Sequence, residues 1–215
     1  MQILSSSTQL SVTELAFERH YELLFSDINF SLKAGELLQV KGANGSGKST
    51  LLRVLAGFIE PHAGAILWQN RSISQVRTLY QNHLRYVGHH NGLRPILTVY
   101  ENLCLSSAFC HKKINQHDIQ SILERVNLSH LMFNQARHLS AGQLRRLGLA
   151  RLLLNPAYLW ILDEPTTALD GEGQQLLATV LNEHLDQGGM AIVATHQSLL
   201  LTRDIQTLQL GEKND

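Results

Sequence analysis

The segment Gly42-Ala43-Asn44-Gly45-Ser46-Gly47-Lys48-Ser49-Thr50 constrains this chain more than any other feature. It fits the pattern GxxxxGK[ST] in full. Before it stands a short apolar run, Leu37-Leu38-Gln39-Val40, which reads as a buried strand. After it, Leu51, Leu52, Val54 and Leu55 fall at helical spacing over Ser49 to Gly57, and Gly57 and Pro61 end the helix. A strand that turns through glycines into a helix leaves backbone N–H groups facing inward, at the positive end of the helix dipole. Such a turn cradles phosphate. Lys48 brings a mobile cation for the β- and γ-phosphates, and Ser49 brings a hydroxyl suited to Mg²⁺.

A second strand carries the complementary charges. Leu159-Trp160-Ile161-Leu162 runs apolar into Asp163-Glu164-Pro165, placing two acids at the C-terminal edge of a parallel sheet, beside the phosphate loop. Successive strand residues point opposite ways, so the two acids are expected to divide the work. Asp163 suits the Mg²⁺ shell, and Glu164 suits orienting and deprotonating an attacking water. The plainer alternative for such an acid is a helix N-cap. His196 follows the apolar run Met190 to Ala194, so it emerges on the same edge within reach of a γ-phosphate.

The remaining chain supplies the frame. Leu10 to Phe17, Ile28 to Leu32, Ala65 to Trp68 and Leu84 to Gly88 read as strands, with a turn at Ala34-Gly35. From Thr98 to Leu154 the period becomes helical, and after Pro156 strand and helix alternate again to a last strand near Leu208. The expected architecture is one α/β domain over 1–215, with a core lobe at about 1–88 and 156–215 and a helical lobe at about 89–155. Eighteen basic residues balance eighteen acidic ones, which argues against a protein that grips nucleic acid by its phosphates. No apolar run is long enough to span a bilayer, and the N-terminus lacks the basic start and apolar stretch of a signal peptide. A cytosolic protein, or one that meets a membrane through a partner, is expected. Cys104 and Cys110 match neither a redox nor a zinc spacing and read as reduced packing thiols.

Leu139-Ser140-Ala141-Gly142-Gln143 precedes a helix bearing Arg145, Arg146 and Arg151. Ser140 is a natural N-cap whose free N–H groups form a second anion site; the bland counterpart is a capped helix with a solvated basic face. Together LSAGQ, ILDEP and the phosphate loop, in this order, resemble the ATP-binding cassette family, the nucleotide-binding subunits of ABC transporters, over essentially the whole chain. The resemblance implies a P-loop NTPase of ABC ATPase type: a RecA-like α/β core, an antiparallel β subdomain and a helical insert. It implies ATP and Mg²⁺ as cofactors and a head-to-tail homodimer. Each ATP then lies between Gly42 to Thr50 of one copy and Ser140, Gly142 and Gln143 of the other. Thr166-Thr167-Ala168-Leu169-Asp170 resembles the family's D-loop, which puts Asp170 across that interface, and His196 matches its switch histidine.

Two departures sharpen the resemblance. The family's usual glutamine after Tyr-Val is replaced by Gly88-His89-His90, making His89 the candidate metal contact. The aromatic platform for adenine falls near Arg19, with Phe17, His20 and Tyr21 close by. GHHNGLRPILTVYENL is similar to the corresponding stretch of the haem-exporter ATPases of cytochrome c maturation, as are LLQVKGANGSGKSTLLRVLAGF and Trp160. That likeness implies a peripheral subunit on the cytoplasmic face of the inner membrane. Its partner would be a CcmB-like permease, with CcmC-like and CcmD-like subunits, docked around Leu93 to Ile96. No nucleic acid and no direct haem contact are expected, since the eleven histidines are scattered and no CxxCH is present. The competing readings are an ABC ATPase for another cargo, a soluble cassette protein acting on DNA or ribosomes, and a small-molecule kinase, which would have no use for LSAGQ.

Overall fold

The structure, a computed structural model, describes residues 9–88, 91–109 and 114–211. Its strands are β1 (Gln9–Arg19), β2 (Glu22–Lys33), β3 (Leu37–Gly42), β4 (Ala63–Trp68), β5 (Arg71–Ser72), β6 (Leu84–Val87), β7 (Leu159–Asp163), β8 (Met190–Ala194) and β9 (Gln206–Leu210). The helices are α1 (Lys48–Leu55), α2 (Arg77–Asn82), α3 (Val99–Phe109), α4 (Gln116–Arg125), α5 (Ala141–Leu154) and α6 (Gly171–Asp186).

The strands form two sheets. β2-β1-β4-β5 is antiparallel, and β6-β7-β8-β3-β9 is parallel. β7 and β8 are apolar almost throughout because the parallel sheet is covered on both faces, the usual consequence of helical crossovers. Period two then sorts their side chains. Leu159 and Ile161 face α1 and the antiparallel sheet, in one core with Leu51, Leu52, Val54, Leu55, Ile66 and Trp68. Trp160 and Leu162 face the other way, onto Leu149, Leu177 and Leu181 of α5 and α6. α1 is thus clamped between two sheets by its four buried aliphatic side chains, each worth about 1.5–3 kcal/mol of burial.

The third core lies in the helical insert, where Val99, Leu103, Ile119, Leu123 and Met132 surround Leu147, Ala150 and Leu154 of α5. α5 therefore buries opposite faces in two cores. The fold class expected from the sequence is present, with both sheets and the insert. Its one substantial omission is the short pair β5 and α2, where only Tyr80 of the helix is buried. α6 begins at Gly171 because the side chain of Asp170 caps it.

Candidate nucleotide-binding site

Strand order brings the distant motifs together. In the parallel sheet Val40 pairs with Ala194, and Ala194 pairs with Asp163, so β3, β8 and β7 end in one row. Beyond that row the chain continues as the phosphate loop, as Thr195-His196 and as Glu164. Backbone bonds lock the row, with Glu164 N donating to Ala194 O at 2.8 Å and Thr195 N to Val40 O at 3.3 Å. Arg19, Leu24, Asn44, Gly45, Gly47, Lys48, Ser49, Thr50, Asp163 and Glu164 line a single cleft of ≈ 360 Å³.

The phosphate loop needs its glycines. Gly42 has φ 152°, and a Cβ there would sit 2.6 Å from Ser46 Oγ and 2.7 Å from Leu210 O. Gly47 enters α1 in a left-handed conformation with no side-chain cap, so the first N–H groups of the helix face the cleft rather than a side chain. Lys48 folds back over the loop and donates from Nζ to Gly42 O at 2.8 Å and Ala43 O at 2.9 Å. These carbonyls hold the ammonium at the mouth of the cradle.

Asp163 is 3% exposed, at the buried end of β7. The alternation expected of the two acids stops there. Glu164 has φ 48°, leaving the strand in a left-handed turn, and both carboxylates line the same cleft. Glu164 Oε2 lies 3.4 Å from His196 Nδ1, whose side chain is 63% exposed. Of the other sequence candidates, Ala43 and Ser46 belong to the loop; a Ser46 N–H to Ala43 O bond of 3.2 Å closes its turn. His89 and His90 fall outside the described residues, as does Cys110; Cys104 is a free, half-buried thiol.

The LSAGQ segment is built as a capping box. Ser140 Oγ accepts from Gln143 N at 3.2 Å, and Gln143 Oε1 accepts from Ser140 N at 2.8 Å. Gly142 is small because a Cβ there would stand 2.9 Å from Ala168 O. Among the described residues, none of Ser140, Gly142 and Gln143 lines the cleft. Asp170, expected to reach across to a second copy, is engaged within its own chain. Its Oδ1 accepts from Gly173 N at 2.8 Å and pairs with Arg146 Nη2 at 2.9 Å, which holds the carboxyl below its usual range.

The burial of Arg145 escaped the sequence reading. The basic face of α5 is not solvated. Arg145 is 4% exposed and donates to Asn91 Oδ1 at 2.7 Å. Burial pulls its guanidinium below the usual arginine range, while Asp163 and Glu164 oppose that shift, so Arg145 stands within the field of the acidic pair. Asn91, with φ 54°, also accepts from Arg151 through its carbonyl. An Asn followed by Gly92 was the available signal for that turn.

A phosphate loop, a strand-end acid pair and a facing histidine on a five-stranded parallel sheet, with an antiparallel sheet and a helical lobe attached, define an ATP-binding cassette ATPase. The ABC transporter family model matches residues 25–167, and the chain belongs to that family. It falls in the branch of the cytochrome c biogenesis ATP-binding export proteins CcmA. It is 46% identical to the Nitrosococcus oceani protein of that name, over 94% of this chain and 92% of the relative. With the Escherichia coli K12 protein the identity is 43%, over 88% and 90% of the two chains. The fold matches that of an ABC transporter ATP-binding protein from Pyrococcus furiosus with TM-score 0.82 at 23% identity, covering 94% and 97% of the chains.

Proposed function

We propose that the chain is the ATP-hydrolysing subunit of an inner-membrane ABC complex that exports or delivers haem during c-type cytochrome biogenesis. ATP binding comes with the family, and cytochrome c biogenesis and export are named for the CcmA relatives. The observation that carries the catalytic part is the single cleft shared by Lys48, Ser49, Asp163 and Glu164.

In this reading the loop Gly42 to Thr50 wraps the phosphates, and Lys48 transfers its ammonium from the loop carbonyls to the β- and γ-oxygens. The oxygen donors Ser49 and Asp163 fit Mg²⁺ brought in with the nucleotide. Among the described residues, no group of three or more His, Cys, Asp and Glu side chains could hold a metal alone. That ion would neutralise charge on the phosphates. Glu164 orients the attacking water and takes its proton. His196, beside Glu164, contacts the γ-phosphate. The base stacks near Arg19, whose guanidinium plane lies at the cleft wall; Tyr21 is 97% exposed on the adjoining hairpin turn. His89 remains the candidate replacement for the family's glutamine.

The site is completed by a second copy, arranged head to tail so that Ser140, Gly142 and Gln143 cover the γ-phosphate and Asp170 lies at the seam. The core lobe of one copy, about 1–88 and 156–215, and the helical lobe of the other, about 89–155, close around ATP; the separate core of the helical lobe supports that division. Among the described residues no helix is long and apolar enough to cross a membrane, so a membrane role needs a permease, of CcmB type with CcmC-like and CcmD-like neighbours. Leu93 to Ile96 offers the docking surface, and the exposed side chains of Ile96 and Phe133 support it. The subunit then sits peripherally on the cytoplasmic face. Co-purification of the full chain from membranes in mild detergent tests this. Recovery of a cytochrome c maturation membrane subunit is expected. Recovery of a different permease discards haem, and recovery of ribosomes or DNA alone overturns the transport reading.

A further inference from the structure

Gln39 is a polar residue in the middle of an apolar strand. It is 3% exposed on β3, in register with Val193 of β8 and Thr207 of β9. A buried amide is costly unless its donors and acceptors are matched. Its Nε2 donates to Gln197 O at 2.9 Å and to Thr195 O at 3.4 Å. Those carbonyls belong to the residues on either side of His196, and one NH₂ carries one hydrogen for each. Other buried groups hold the same turn. Thr195 Oγ1 bridges Thr166 Oγ1 at 2.8 Å and accepts from Gln197 N at 3.1 Å. The backbone around His196 is therefore fixed from below, while the imidazole above it stays exposed.

We propose that Gln39 is a positioning residue for His196: its side-chain amide, clamped across Thr195 and Gln197, sets where the imidazole stands over the cleft. Three residues further on, the same strand becomes Gly42, so the clamp ties the height of His196 to the phosphate loop. A methionine of similar size fills the space but leaves the Thr195 and Gln197 carbonyls without this donor, and the turn loses its fixed height. The inference rests on the reading of His196 as a γ-phosphate contact.

The test measures ATP turnover of the full chain in its detergent-purified membrane complex, for Gln39→Met, Gln39→Glu, His196→Ala and the Gln39→Met/His196→Ala double variant. Gln39→Met is expected to lower kcat about tenfold with KM for ATP changed less than about twofold. The double variant should be no slower than His196→Ala alone, because Gln39 acts only through the imidazole. Gln39→Glu donates only when its carboxyl is protonated, and then through a single O–H, so its turnover relative to the native protein should rise in part as pH falls. Native kcat in Gln39→Met, or a double variant slower by the full Gln39→Met factor, overturns the proposal. So does Gln39→Glu without recovery in acid, which serves where Gln39→Met fails to fold. Native turnover in His196→Ala instead overturns the role given to His196, so the two failures are separable.

Discussion

Glu164 sits where two constraints meet: its amide completes the row of strand ends by donating to Ala194 O, and its φ of 48° turns the side chain into the cleft. A glutamine preserves size and the left-handed turn but cannot accept a proton. Glu164→Gln should keep nucleotide binding, favour the closed dimer and lower kcat by about a hundredfold or more. Steady-state hydrolysis alongside nucleotide binding checks it, and near-normal turnover removes Glu164 as the base. The positions of Lys48, Asp163 and Glu164 were legible in the sequence because each follows from spacing within its own strand-loop segment. Arg145 was not. Its burial depends on Asn91, 54 positions earlier, folding its side chain onto α5.

At the scale of elements, α5 shows why periodicity has a limit. A surface helix displays one apolar stripe. α5 instead gives Leu147, Ala150 and Leu154 to one core and Leu149 and Leu152 to another, so its sequence reads as helix without revealing which side faces the sheet. Its start, by contrast, is local chemistry, and the expected Ser140 cap is present as a reciprocal box. Ser140→Ala removes the oxygen that accepts from Gln143 N and should cost about 1 kcal/mol, read as a lower urea midpoint at unchanged slope. No loss of stability would mean that packing alone fixes the first turn. β5 and α2 escaped the sequence reading for the opposite reason. α2 holds one buried residue, Tyr80, whose hydroxyl donates to Leu55 O at 2.7 Å, so a tertiary bond at the end of α1 anchors it more than any local pattern.

At the scale of the molecule, the edge of the parallel sheet away from the nucleotide has its own requirement. His184 of α6 stacks on Trp160 with ring centroids 3.7 Å apart, and its Nε2 bonds Met190 O at 3.0 Å. Burial lowers its pKa from 6.5 to about 4. A depressed folded-state value means that the neutral ring stabilises the fold above the unfolded pKa, and that this stability is lost as pH falls from about 6.5 toward 4. The loss at pH 5 is about 2 kcal/mol. Urea midpoints between pH 7.5 and 5 should fall more steeply for the native chain than for His184→Phe, whose phenyl ring keeps the stack. Parallel slopes would assign the acid sensitivity to other groups. In the same region Arg125 of α4 pairs with Glu183 of α6.

Two kinds of information separate cleanly in this chain. Sequence by itself determined the phosphate loop, the acid pair, the capped LSAGQ helix and the α/β class, because each is a local pattern: glycine where φ is positive, a cap before a helix, apolar runs between turns. Tertiary structure alone decided that both acids line one cleft, that Arg145 is buried against Asn91, and that Gln39 reaches under His196. Those facts depend on the strand order β7-β8-β3, which places residues more than a hundred positions apart in neighbouring registers. Burial of both sheet faces selects that order, and no single segment encodes it.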